Sequence, residues 1–177
     1  LVMLANDLCK NMLDSNDQKR EISGLGMKML LGGLVDSQKE CIKSVAPKML
    51  DGIEGNYTPQ IKTELLETLN TCLSRFGAAF PEHHPRIEGI LMGQITTGNS
   101  TSRKRCIQCI ASLAQSCNDE VFASLISAIS AGMTSVNGGT YVQVVKKVET
   151  TELVMLANDL CKNMLDSNDQ KREISGL

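Results

Sequence analysis

The chain has 177 residues and a formal charge of −2, from 18 Lys and Arg against 20 Asp and Glu; 42% of it is hydrophobic but only 3% aromatic, with no Trp. That length buries a sizeable core, and so balanced a charge excludes binding to nucleic acid through a dominating positive field. No apolar run reaches the ~18 residues of a membrane span, and four Pro with 14 Gly exclude collagen-like and Pro-rich disordered classes.

In chain order, Val2–Leu13 reads as a short apolar helix, followed by Asp14-Ser15-Asn16-Asp17, side chains suited to capping a helix N-terminus. The next helix, Asp17–Leu34, sets Ile22, Leu25, Met29 and Leu30 at i, i+3, i+7 and i+8, which predicts its buried stripe. Lys39–Leu50, containing Pro47, is a second short helix, and Glu54-Gly55-Asn56-Tyr57 reads as a loop. Pro59 suits a first helical turn, and Ile61, Leu65, Leu66, Leu69, Leu73 and Phe76 form the stripe of the helix it opens. Pro85–Ile95 follows; Asn99-Ser100-Thr101 then caps a helix striped by Cys106, Ile107, Ile110, Leu113, Ala114 and Cys117. Asn118-Asp119 caps a helix over Glu120–Ile129, and Val136-Asn137-Gly138-Gly139 reads as a loop. No alternating strand pattern competes with these.

Two repeats overlie this order. The first is exact: residues 1–25, LVMLANDLCKNMLDSNDQKREISGL, recur unchanged as residues 153–177, an offset of 152. Identity at every position, confined to the two termini, points to a recent tandem copy, an engineered product, or a circular template read past its own start. The second is degenerate. Arg20, Lys62 and Arg103 sit near the starts of the longer helices at spacings of 42 and 41; ten residues on are Leu30, Cys72 and Leu113, and seven on are Met27, Leu69 and Ile110. Helix pairs at this period are the mark of HEAT or armadillo arrays, in which a pair buries its apolar stripe only by stacking on its neighbours.

The expected fold is therefore all-α: an α-solenoid of HEAT-type antiparallel helix pairs, HEAT rather than armadillo because no unit offers a clear third helix. About three units and the start of a fourth occupy 1–143. In HEAT repeats a basic residue at the anchor position usually forms a ladder with an Asp of the turn. Arg20, Lys62 and Arg103 are structural by that default, with Asp17 the clearest acidic partner.

The seven cysteines, Cys9, Cys41, Cys72, Cys106, Cys109, Cys117 and Cys161, mostly fall on apolar positions, and Cys161 is the copy of Cys9. Free Cys at such positions behaves as a small hydrophobe, which points to a reducing intracellular compartment, cytoplasmic and/or nuclear. Opening on Leu1 rather than Met implies a fragment or processed product.

The stretch LCKNMLDSNDQKREISGLGMKMLLGGL (8–34) resembles an N-terminal HEAT repeat of the cullin-associated, neddylation-dissociated exchange factors, the CAND family. The likeness continues through ELLETLNTCLSRFG (64–77), HHPRIEGILMGQIT (83–96) and SRKRCIQCIASLAQSCNDEVFASLI (102–126), where the RKR and SC elements are the most specific. In the family an element like VKKVETTELVMLANDLCKNML (145–165) lies upstream of the DSNDQKREIS helix, and one like GGTYVQ (138–143) lies downstream of the third unit. The resemblance thus implies that 144–177 is a displaced upstream element, with the family order broken near Gln143/Val144 and a circular template behind it. It also implies a non-enzymatic scaffold that wraps unmodified cullin–RING proteins and promotes exchange of substrate receptors in these ubiquitin ligases. The alternative is a HEAT interaction module of another scaffold, of the nuclear-transport-receptor or phosphatase-scaffold type.

Either way the expected partner is a protein, with no nucleic acid, membrane, small molecule, metal or other cofactor. Arg103, Lys104 and Arg105 are the best placed for polar contacts with it, although such a charge run also reads as a solvated face. Cys106-Ile107-Gln108-Cys109 has no second CxxC or matching His, so it reads as core rather than zinc ligation. His83 and His84 read as loop and helix-start residues, and Glu64 and Glu67 as a solvated acidic face. No phosphate loop, dinucleotide fingerprint or serine-nucleophile motif appears.

Overall fold

The computed structural model describes residues 1–133 and 138–150; the second copy of the duplicated segment, 153–177, lies outside them. The described residues are helical with no strand: α1 Val2–Asn11, α2 Asp17–Gly33, α3 Glu40–Glu54, α4 Pro59–Phe76, α5 His84–Thr97, α6 Ser100–Ala114, α7 Asp119–Met133, and α8, helical over 138–150. Each odd-numbered helix up to α5 packs on the even-numbered one after it, giving three pairs. The pairs stack in order. Helices α1, α3, α5 and α7 touch in succession to form one layer, while α2, α4 and α6 form the other. This is an α-solenoid, with one continuous core running through it from Ala5 and Cys9 to Tyr141 and Val144.

The starts of the helices are set by local chemistry. Asn16, Thr58 and Asn99 cap α2, α4 and α6, each accepting a backbone N–H three residues on (Lys19, Ile61 and Ser102). Asn118 does the same for α7 through Val121 N–H at 3.0 Å. These groups satisfy amides that the first helical turn leaves unbonded. Pro59 and Pro85 stand in the first turns, where a missing N–H costs nothing. At the far end of α2, Arg75 donates to the carbonyls of Leu31 and Leu34 and lies over the Phe76 ring at 5.0 Å, so α4 closes the C-terminal end of α2.

One sequence expectation is reversed. Ile22, Leu25 and Met29 were expected to be buried, but they are 64%, 61% and 71% exposed, and of that stripe only Leu30 packs against the core. The buried face of α2 is instead Arg20, Ser23, Met27 and Leu31. Gly26 explains the turn of the helix: a Cβ there would lie 3.1 Å from Leu8 Cδ2, so α1 sits against this slot. Periodicity detects an apolar stripe but does not orient it when a second stripe, part polar, runs beside it.

The three Phe are used sparingly. Phe80 is fully buried between two short 3-10 turns, Gly77–Ala79 and Pro81–His83, that link α4 to α5. Leu, Ile, Met, Ala and Cys fill the rest of the core. All six described cysteines are unpaired thiols, and five of them are buried.

Candidate protein-binding face

Polar staples join successive units along both layers. In the odd-numbered layer, Asn6 donates to Ser44 at 3.0 Å and accepts from Lys48, linking α1 to α3. Arg86 of α5 reaches back to Asp51 at 2.6 Å and to Glu54, and Ser124 of α7 donates to Glu88 at 2.6 Å. Side chains of the even-numbered layer also pair with one another from unit to unit. Thr63 and Ser102 share a hydrogen bond of 3.1 Å, Glu67 pairs with Lys28 at 2.9 Å and with Arg105 at 3.4 Å, and Ser112 donates to Asn70 at 2.9 Å.

The ionic ladder between units therefore runs Lys28–Glu67–Arg105, one residue from each of α2, α4 and α6. Arg20 and Asp17 do pair, but inside a single unit, and the Arg20 guanidinium also donates to the carbonyls of Asp14 (2.9 Å) and Ser15 (3.3 Å). Arg20 is thus a clamp on its own turn, and it is buried. Lys62 makes no ion pair among the described residues. Glu67 is no solvated acid, as sequence suggested; it is half-buried between two cations. The signal that could have revealed it is its placement between Lys28 and Arg105 at spacings of 39 and 38.

The basic run Arg103-Lys104-Arg105 is divided by the helix. Arg105 is engaged by Glu67 and by Gln108 at 3.2 Å. Lys104 is exposed, while Arg103 is half-buried with its Nε shielded and without a hydrogen-bond partner. Asp14, beside Lys19, is held below the usual carboxylate range by that lysine's ammonium and by the Asn16 N–H.

Cys106 and Cys109 both lie in the core, and Cys109 Sγ donates to Leu66 O at 3.2 Å. Burial pushes the Cys106 thiol up to about 12 and the Cys109 thiol well above its ordinary value, which holds both as neutral thiols. Among the described residues no three His, Cys, Asp or Glu are arranged to hold a metal, and no helix is long and apolar enough to cross a membrane. His84 is the first residue of α5, as its helix-start reading has it. It is buried, with Nε2 at 2.9 Å from Gly77 O and its ring edge-on to Phe80.

These surfaces, stapled helix layers with exposed polar side chains, are suited to protein contact spread over many residues. Comparison with known proteins gives the family context. No protein-family model matches the chain. Cullin-associated NEDD8-dissociated protein 1 of Arabidopsis thaliana is 28% identical over 125 residues, 70% of this chain and 10% of that protein. The Drosophila melanogaster protein of the same name is 27% identical over 173 residues, 92% of this chain and 14% of that protein. Cullin-associated NEDD8-dissociated protein 2 of Mus musculus is 25% identical over 128 residues, 69% of this chain and 10% of that protein. The chain is thus a HEAT-type helical-repeat relative of the cullin-associated NEDD8-dissociated (CAND) proteins, spanning 10–14% of the length of these curated relatives.

Proposed function

We propose that the chain is a non-enzymatic scaffold segment that supplies part of a cullin-facing surface, and so takes part in assembly and substrate-receptor exchange of cullin–RING ubiquitin ligases. The observation that carries this reading is the run of matches to cullin-associated proteins over 69–92% of the chain. In this reading residues 1–143 supply the binding units, and 144–177 is a displaced upstream element. Arg103 and Lys104 make the polar contacts, Arg105 being already committed to Glu67. The six unpaired thiols suit a reducing compartment, cytoplasmic or nuclear.

Such an interface gains its affinity from a few anchors within a large contact area. The test is biolayer interferometry of the 177-residue chain on immobilised cullin–RING scaffold, unmodified and NEDD8-modified, with a nuclear-transport receptor cargo and a phosphatase catalytic subunit as comparators. Saturable binding that favours the unmodified cullin is expected. Binding confined to a comparator, or none to either cullin form, refutes the reading.

A further inference from the structure

Five arginines lie among the described residues, and four are engaged. Arg20 is held by Asp17 and two carbonyls, Arg75 by the end of α2, Arg86 by Asp51 and Glu54, and Arg105 by Glu67. The Arg103 guanidinium makes no hydrogen bond or ion pair among the described residues, although its Nε is shielded from solvent. Arg20 Nε is shielded and unpartnered in the same way; what sets Arg103 apart is that its two terminal nitrogens, which are not shielded, bond to no described residue and stand open to an acceptor.

Its surroundings show what would fill it. Arg103 lines a pocket of about 150 Å³ together with Ser100, Lys104 and Ile107 of α6 and Thr140 and Gln143 of α8. Among the described residues the lining holds two cations, two hydroxyls and an amide, and no carboxylate. Elsewhere on the surface, Lys28, Lys19, Lys43, Arg86 and Arg105 each face an Asp or Glu. The volume suits one carboxylate or phosphate group. Ile107 adds an apolar wall, which a free hydrated ion does not use but the methylenes of a side chain do.

We propose that this pocket receives a single oxyanion at the tip of a side chain of a protein partner, a glutamate carboxylate or a phosphoserine. The Arg103 fork holds two of its oxygens, Lys104 supplies a second charge, and the Ser100 and Thr140 hydroxyls and the Gln143 amide donate to the rest. This rests on the scaffold reading only in that the anion is carried by a protein, whichever protein that is. The titration described next and the cullin-binding measurement fail separately.

N-acetylglutamate amide, phosphoserine and inorganic phosphate are titrated one at a time, at fixed ionic strength, into the isotope-labelled 177-residue chain. Amide shifts of Ser100, Lys104 and Gln143 are followed. Saturable shifts are expected with N-acetylglutamate amide or phosphoserine, and which of the two binds tighter identifies the source of the anion. Arg103→Gln should weaken binding by about tenfold, as loss of a charge-assisted hydrogen-bond pair does. Lys104→Gln, at an exposed position, should weaken it less, and Lys62→Gln, outside the pocket, should leave it unchanged. Linear shifts, equal binding by Arg103→Gln and Lys104→Gln, or saturation by inorganic phosphate alone would each overturn the proposal.

Discussion

Gly77 follows α4 and lies against Ser116, just past the end of α6, and it offers a sharp test of how successive units meet. Its φ of −50° is helical, so alanine there meets no backbone strain. By itself Gly→Ala at such a position stabilises by about 0.4–1 kcal/mol, because it narrows the unfolded ensemble. A Cβ at Gly77, however, would lie 2.2 Å from Ser116 Oγ and 2.5 Å from Ser116 Cβ. The hydroxyl could rotate away, at the loss of its bonds to Ser112 O and Leu113 O, but the Cβ is fixed to the backbone. Separating the two carbons to normal contact requires α4 and α6 to move apart across a filled layer, and overpacking of this kind costs about 1–3 kcal/mol. The clash outweighs the entropic gain, so Gly77→Ala should lower stability by about 1–2 kcal/mol, read as the urea midpoint followed by circular dichroism. The cause is then isolated by the double variant Gly77→Ala with Ser116→Gly, which removes the opposing carbon and should recover most of the loss beyond the cost of Ser116→Gly alone. An unchanged or raised midpoint for Gly77→Ala, or a loss that the double variant fails to recover, would refute this account of the junction.

Met27→Ala should cost about 2–4 kcal/mol because its side chain is fully buried, whereas Met29→Ala, 71% exposed, should change the denaturation midpoint by less than about 0.5 kcal/mol. Burial lowers His84 below its ordinary value of 6.5, with the Gly77 carbonyl opposing part of that shift. The unfolded chain therefore takes up the proton first, and stability is full above about pH 6.5 and declines as pH falls below it. Urea midpoints measured through this range should show the decline in the native chain and a flatter profile in His84→Gln. Glu67→Gln should cost no more than about 1 kcal/mol, since all three ladder side chains are a third or more exposed. That cost should shrink in concentrated salt, which thermal melts at low and high sodium chloride would check.

The fold was legible in the sequence because its signals are local and repeated. Asn16, Asn99 and Asn118 cap the helices they were expected to cap, and Pro59 and Pro85 stand in the first turns they suit. The 41–42-residue spacing gave the pairing of helices, because in a solenoid each pair meets only the next. The facing of α2 was not legible. Its exposed stripe, Ile22, Leu25 and Met29, is more apolar than the buried one, which contains Arg20 and Ser23. Arg20 sits inside because Asp14 O, Ser15 O and Asp17 hold its two terminal nitrogens at the turn, while its Nε is buried without a partner. Hydropathy assigns a cost to that charge without seeing its partners.

The three basic anchors carry the same lesson into the candidate site. Arg20, Lys62 and Arg103 hold one register position, yet among the described residues one clamps its own turn, one makes no ion pair, and one is half-buried in a pocket that no acid lines. Register fixes where a side chain starts; its role depends on which acids the neighbouring helices bring within reach. Glu67 lies in the middle helix of its layer and so takes Lys28 from one side and Arg105 from the other, which gives Arg105 an acid within the chain. No acid of α8 lines the pocket around Arg103, where Thr140 and Gln143 stand instead. The residue of the RKR run left with an unmet hydrogen-bonding demand is therefore the first, the one whose register position marks it as structural.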